Sequence, residues 1–173
     1  MEWDHKYKLV LLGDAAVGKS NLLMRFTQNK FNPLKSTIGL EFATKHVTIK
    51  DEHDNPVTIK AQVWDTAGAE RYRALSNSYY RDAQGALLVF DITENMHTTF
   101  ENIKKWLQDL RQNSGTDTTV IIVGNKIDLH SPVDCDGAEE HSLRKVPTED
   151  AQTLADSLRQ YFFEPPTYDS PTR

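Results

Sequence analysis

The segment Gly13-Asp-Ala-Ala-Val-Gly-Lys-Ser20 sets two glycines around a short loop and closes it with an amine and a hydroxyl. Glycine at these positions lets the backbone curl until the N–H groups of Ala15, Ala16, Val17 and Gly18 face one concave spot, an anion-binding nest. A helix starting at Lys19, with Asn21 in its first turn, adds its positive dipole end to the same place. Lys19 is long enough to reach the β- and γ-phosphates of a nucleotide, and the Ser20 hydroxyl can ligate Mg²⁺. The bland alternative is a glycine-containing turn between a strand and a helix. The full pattern G-x-x-x-x-G-K-[ST] in that context favours phosphate.

Two further segments supply complementary chemistry. Asp65 closes the run Ala61-Gln-Val-Trp-Asp65 and precedes Thr66-Ala-Gly68. A carboxylate at the C-terminal end of a strand lies at the crevice where open α/β sheets take ligands. Such an Asp is often only a turn former, but beside a phosphate loop it is expected to orient the Mg²⁺ shell through water, with the Gly68 N–H near a γ-phosphate. Ile122-Val-Gly-Asn-Lys-Ile-Asp128 follows far downstream. Guanine presents N1–H and its N2 amino group side by side, and the Asp128 carboxylate can accept both; adenine offers no such pair. Asn125 is expected to bond the base and tie this loop to the phosphate loop, and the Lys126 stem to cover the ring. N-K-x-D alone means little; after a phosphate loop it selects a guanine nucleotide.

These groups need strands that end at one edge and helices that start there. β-Rich runs at 8–12, 42–50, 57–65, 86–91 and 120–124 alternate with helical patterns at 19–27, 72–81, 98–111 and 148–158. That alternation predicts an α/β three-layer fold of the P-loop NTPase type, a mostly parallel sheet with helices on both faces. The polar cluster 51–56 joins the second and third strands as an antiparallel edge hairpin. Phe100, Ile103, Trp106, Leu107 and Leu110 fall at helical spacing and are expected to be core, not a binding box. Asp134-Cys-Asp-Gly137 lies in a polar loop, 130–145, and lacks the remaining spacing of a calcium loop.

The chain has 173 residues, enough for one domain with a sizeable core. Lys and Arg number 20 against 25 Asp and Glu, a net charge of -5, which argues against nucleic acid as a partner. The single cysteine, Cys135, predicts a reducing, cytoplasmic setting. No apolar run approaches the roughly 20 residues of a membrane span. Glu2 excludes myristoylation, and no cysteine near Arg173 offers a prenylation site, so no covalent membrane anchor is visible. A domain over 1–164, a disordered Pro/Ser/Thr tail over 165–173 and a monomeric state are expected.

Taken together, the motifs resemble the Ras superfamily of small GTPases and, within it, the Rab branch. Rab-like segments are Ser36-Thr-Ile-Gly-Leu-Glu-Phe42, Lys60-Ala-Gln-Val-Trp64, Glu70-Arg-Tyr-Arg-Ala-Leu75, Tyr79-Tyr-Arg-Asp-Ala-Gln-Gly85 and Asn102-Ile-Lys-Lys-Trp106. Arg25-Phe-Thr, Phe42-Ala-Thr and Gly85-Ala-Leu-Leu-Val-Phe-Asp91 point to the recycling-endosome Rab subgroup. The resemblance implies that Thr37 ligates Mg²⁺ only with GTP bound and that Phe31 meets the guanine edge-on. It implies an effector surface of Ile38, Gly39, Phe42, Trp64 and Tyr79, the alternative for the aromatics being plain core. It further implies effectors, an exchange factor and a GAP of the Rab type as partners.

The chain departs from that pattern in three places. Ala69 stands where the family's water-positioning glutamine belongs, so intrinsic hydrolysis is expected to be weak. The segment between Phe31 and Thr37 looks one residue short. Pro165-Pro-Thr-Tyr168 replaces the family's Thr-Ser-Ala-Lys, and the final helix is expected to be missing. A slow GTPase switch of vesicle traffic is the reading carried forward, against a GTP- or GDP-binding module that does not hydrolyse, or a truncated product that barely folds.

Overall fold

β1 (His5–Leu12) buries both its faces: Val10 and Leu12 join one apolar cluster, Leu9 and Leu11 another. β4 (Gly85–Asp91) and β5 (Thr119–Asn125) do the same, and such two-sided runs make a central parallel strand. β2 (Leu40–Lys50) instead alternates half-buried and exposed positions from Phe42 on, as an edge strand does. The computed structural model describes residues 2–31, 40–66, 80–114, 117–129 and 143–165. With β3 (Pro56–Thr66) and β6 (Tyr161–Phe163) they form one six-stranded sheet in the order β2-β3-β1-β4-β5-β6. Only the β2–β3 pair is antiparallel. The expected sheet and hairpin are therefore present, and each predicted strand lies inside an observed one. β6 has three residues, too short for periodicity to reveal.

Strand order reverses at β1, which has β3 on one side and β4 on the other. A ligand crevice therefore opens above the C-terminal end of β1. α1 (Lys19–Gln28) starts there and covers the face of Leu11 and Val63 with Leu23; Asn29, in the left-handed region at φ 54, closes it with its N–H on Arg25 O at 3.0 Å. On the opposite face α2 (Ile103–Asn113) and α3 (Thr148–Leu158) lay Ile103, Trp106, Leu110, Ala151 and Leu154 on the strands.

The single helix expected over 98–111 is a correction. A wide π-type turn over Met96–Phe100 precedes α2, and residues 101–102 separate them. Asn95 Oδ1 accepts the His97 N–H, Thr98 Oγ1 donates to Asn95 O, and Thr99 Oγ1 accepts the Asp91 N–H. Side chains thus compete with the regular ladder for backbone groups. The wider turn places Phe100 against Phe90, ring centres 5.0 Å apart. The helix expected over 72–81 lies outside the described residues apart from its last two positions, as do most of the 130–145 loop and all of the 165–173 tail except Pro165. Among the described residues no helix is long and apolar enough to cross a membrane.

Candidate nucleotide-binding site

The loop between β1 and α1 is shaped by two glycines at positive φ, +141° at Gly13 and +99° at Gly18. A Cβ on Gly13 would stand 2.1 Å from Val89 O, and one on Gly18 2.3 Å from Asn125 Nδ2. The backbone approaches both neighbours so closely that a side chain has no room. Ala15 and Ala16 are exposed, whereas Val17 is buried and plugs the loop onto Val89 and Val123. Ala16 adopts φ 64, the left-handed region, which glycine tolerates better than alanine. The motif leaves that position open to any residue, so the strain has no signature in it.

Lys19 folds back over the loop and donates to Gly13 O at 2.8 Å and Asp14 O at 2.7 Å. It is 5% exposed, and burial lowers its pKa to about 8, partly opposed by the nearby carboxylates of Asp65 and Asp14. An arriving phosphate would favour the charged ammonium again. Ser20 Oγ, one residue on, donates to Asp65 Oδ2. Asp65 is fully buried near the end of β3, opposite Leu11 of β1. Asn21, half-buried, continues the first turn of α1.

Among the described residues no three His, Cys, Asp or Glu side chains gather as a closed metal cage. One hydroxyl and one carboxylate, both hard oxygen donors beside a phosphate nest, nevertheless suit Mg²⁺, which keeps several waters and takes its other ligands from phosphate.

The second loop leaves β5 beside the first. Asn125 Nδ2 donates to Val17 O at 2.8 Å, a bond across 108 residues of sequence that joins the two loops. Lys126 turns at φ 69, and its ammonium pairs with Asp91 Oδ2 at 2.5 Å. Asp91 is buried at the end of β4, and its other oxygen accepts the Thr93 N–H and hydroxyl at 2.8 and 2.6 Å. The sequence does not single out Asp91, whose place beside Asn125 and Lys126 depends on the register of β4 on β5. Asp128 lies exposed in a 3-10 turn, Ile127–Leu129.

Phe31 is 63% exposed just past α1. Phe42 on β2 pairs across the hairpin with Trp64, their rings stacked with centres 5.0 Å apart. At 57% exposure Phe42 is not core, while Trp64 is half-buried and packs on the main cluster. Thr37, Ile38, Gly39, Gly68, Ala69 and Tyr79 lie outside the described residues.

One expectation needs enlarging. The Phe100–Leu110 stripe is core, but Trp106 also donates its indole N–H to Asp14 Oδ1 in the phosphate loop, at 2.8 Å.

A sequence model described as the Ras family matches residues 8–169. The Ras-related protein RABA1e of Arabidopsis thaliana is 47% identical over 170 residues, covering 98% of this chain and 70% of the relative. The Ras-related protein rab-11.1 of Caenorhabditis elegans is 46% identical over 98% of this chain and 72% of its own length. The Ras-related protein Rab11B of Nicotiana tabacum is 48% identical over 94% of this chain and 67% of its own.

Proposed function

The chain belongs to the Ras family, and from that premise we propose that it holds GDP or GTP across the two joined loops, phosphates on 13–20 and guanine on 125–128. As a Rab-like small GTPase it is a GTP-binding switch of vesicle trafficking whose reaction is hydrolysis of GTP to GDP and phosphate. The observation that supports the site reading is the Asn125–Val17 bond, which joins the 125–128 loop to the 13–20 loop at one edge of the sheet. Inward N–H groups and Lys19 then bind the phosphates. Asp128 accepts both donors of the guanine edge, the Lys126 stem covers one ring face and Phe31 closes the outer edge. Ser20, Asp65 and Thr37 are the residues that would hold Mg²⁺, which supplies charge neutralisation between the β- and γ-phosphates.

Ala69 favours slow chemistry, because a methyl group cannot orient the attacking water. The same residue keeps the second reading alive, a GTP- or GDP-binding module that does not hydrolyse. Effector binding falls to the rim of β2 and β3, where Phe42 and Trp64 present a stacked aromatic pair.

Guanine selectivity tests the reading. Two hydrogen bonds to a charged acceptor are worth about 1.5–3 kcal/mol each. Calorimetry should therefore find GDP bound at least a hundredfold more tightly than ADP, with that margin lost in Asp128→Ala. Equal affinity of the unaltered chain for the two nucleotides rejects the assignment.

A further inference from the structure

Asp14 stands second in the phosphate loop, where a carboxylate would repel the most anionic part of a nucleotide. Its two oxygens are turned away onto the N-terminal end of α2. Trp106 Nε1 donates to Oδ1 at 2.8 Å, and Asn102 Nδ2 donates to Oδ2 at 2.6 Å. The donors are four residues apart, so one helical face presents both. Asn102 sits at the N-cap position of α2 yet makes no capping bond to its own helix. Its amide serves Asp14 instead. The Trp106 ring is buried in the main cluster, so its N–H is held in place by the packed sheet. The backbone side of Asp14 completes the arrangement: its carbonyl accepts Lys19 Nζ at 2.7 Å.

We propose that Asp14 is a positioning residue for nucleotide retention, clamped by Asn102 and Trp106 so that the phosphate-loop amides and Lys19 stay in binding geometry. A carboxylate released from this clamp would be free to swing toward the phosphates, and the peptide that seats Lys19 would lose its fixed orientation. α2 is thereby mechanically tied to the nucleotide, so displacing the helix loosens it. The inference rests on the nucleotide reading above.

The test is a cycle of Asp14→Ala, Trp106→Phe and their double variant in the full chain, read as the release rate of a fluorescent GDP analogue with Mg²⁺ and excess GTP. Trp106→Phe keeps an aromatic ring, removes the donor and also takes some volume out of the core, the part that the core control measures. It should speed release roughly tenfold, the scale of a lost hydrogen bond to a charged group. The double variant should release no faster than Asp14→Ala alone. Ile103→Val, a core change on the same helix, is the structural control: at a comparable loss of urea stability it should alter release by less than about twofold. Should Trp106→Phe fold poorly, Asn102→Ser with Asp14→Ala gives the same cycle through the other donor.

Effects that multiply in the double variant, unchanged release, or an equal acceleration by Ile103→Val overturn the clamp. If those outcomes come with intact GDP-over-ADP selectivity, only the clamp falls. A chain that binds no GDP removes the nucleotide reading and the clamp with it.

Discussion

Ala16 holds a backbone conformation that an L side chain adopts at a cost, φ 64 within a loop whose glycines already turn it sharply. Left-handed geometry costs a non-glycine residue about 1–2 kcal/mol. Glycine there would lose more unfolded-state entropy, worth about 0.5–1 kcal/mol. The balance favours glycine, so Ala16→Gly should stabilise the nucleotide-free chain by up to about 1 kcal/mol, raising its melting temperature by roughly 2–4 °C. A melting point that stays level or drops would show that the loop relaxes around alanine without strain. Ala69 bears on the proposed chemistry instead, as a methyl where the family's glutamine belongs. Ala69→Gln restores an amide able to hold the attacking water, and intrinsic single-turnover hydrolysis should rise about tenfold without a GAP. An unchanged rate would put the limiting defect elsewhere, with the short segment between Phe31 and Thr37 the first place to look.

At the scale of elements, the site is a junction of strand ends, and the two loop glycines measure how tightly it is made. A Cβ on Gly13 meets the backbone oxygen of Val89, so β4 itself has to move. A Cβ on Gly18 meets the Asn125 amide, which can swing aside while giving up its bond to Val17. Gly13→Ala should therefore cost about 3–4 kcal/mol in urea unfolding, at the upper end of single substitutions, and Gly18→Ala clearly less. Gly18→Ala should still weaken GDP binding, because it separates the two loops. Equal stability of the two variants would mean that β4 yields as easily as a side chain. Much of this junction was legible in the sequence because the chemistry needs fixed residue types in fixed order: Gly13, Lys19, Ser20, Asp65 and Asn125 each follow or end a strand that periodicity finds. The interruption before α2 was not legible, since Phe100 and Ile103 keep helical spacing across it while Thr98 and Thr99 redirect the backbone. Nor were the ties from Asp91 to Lys126 and from Asp14 to Trp106, which depend on register between strands and on the facing of a helix.

For the molecule as a whole, the same junction makes stability depend on ligand. The fold buries the Lys19 ammonium strongly enough to lower its pKa to about 8, and it holds Gly13, Ala16 and Gly18 of the loop at positive φ. Both features are unfavourable alone and favourable around an anion. A ligand that binds only the folded state stabilises it by mass action, about 4.1 kcal/mol at a thousandfold excess over its Kd. For a domain of 173 residues each kcal/mol moves the melting temperature by roughly 2–4 °C. Saturating GDP with Mg²⁺ should then raise the melting point by roughly 8–16 °C over the stripped chain. ADP at the same concentration, at most about tenfold above its own Kd, should give no more than about a third of that shift, because Asp128 finds no paired donors on adenine. Chelating Mg²⁺ should shrink the GDP shift, since the charge of the phosphates then lacks its counter-ion beside Ser20 and Asp65. A GDP shift that is insensitive to chelator would remove Ser20 and Asp65 from the metal site. A shift reproduced by ADP would place the ligand's grip wholly on its phosphates and leave the 125–128 loop without a part in recognition.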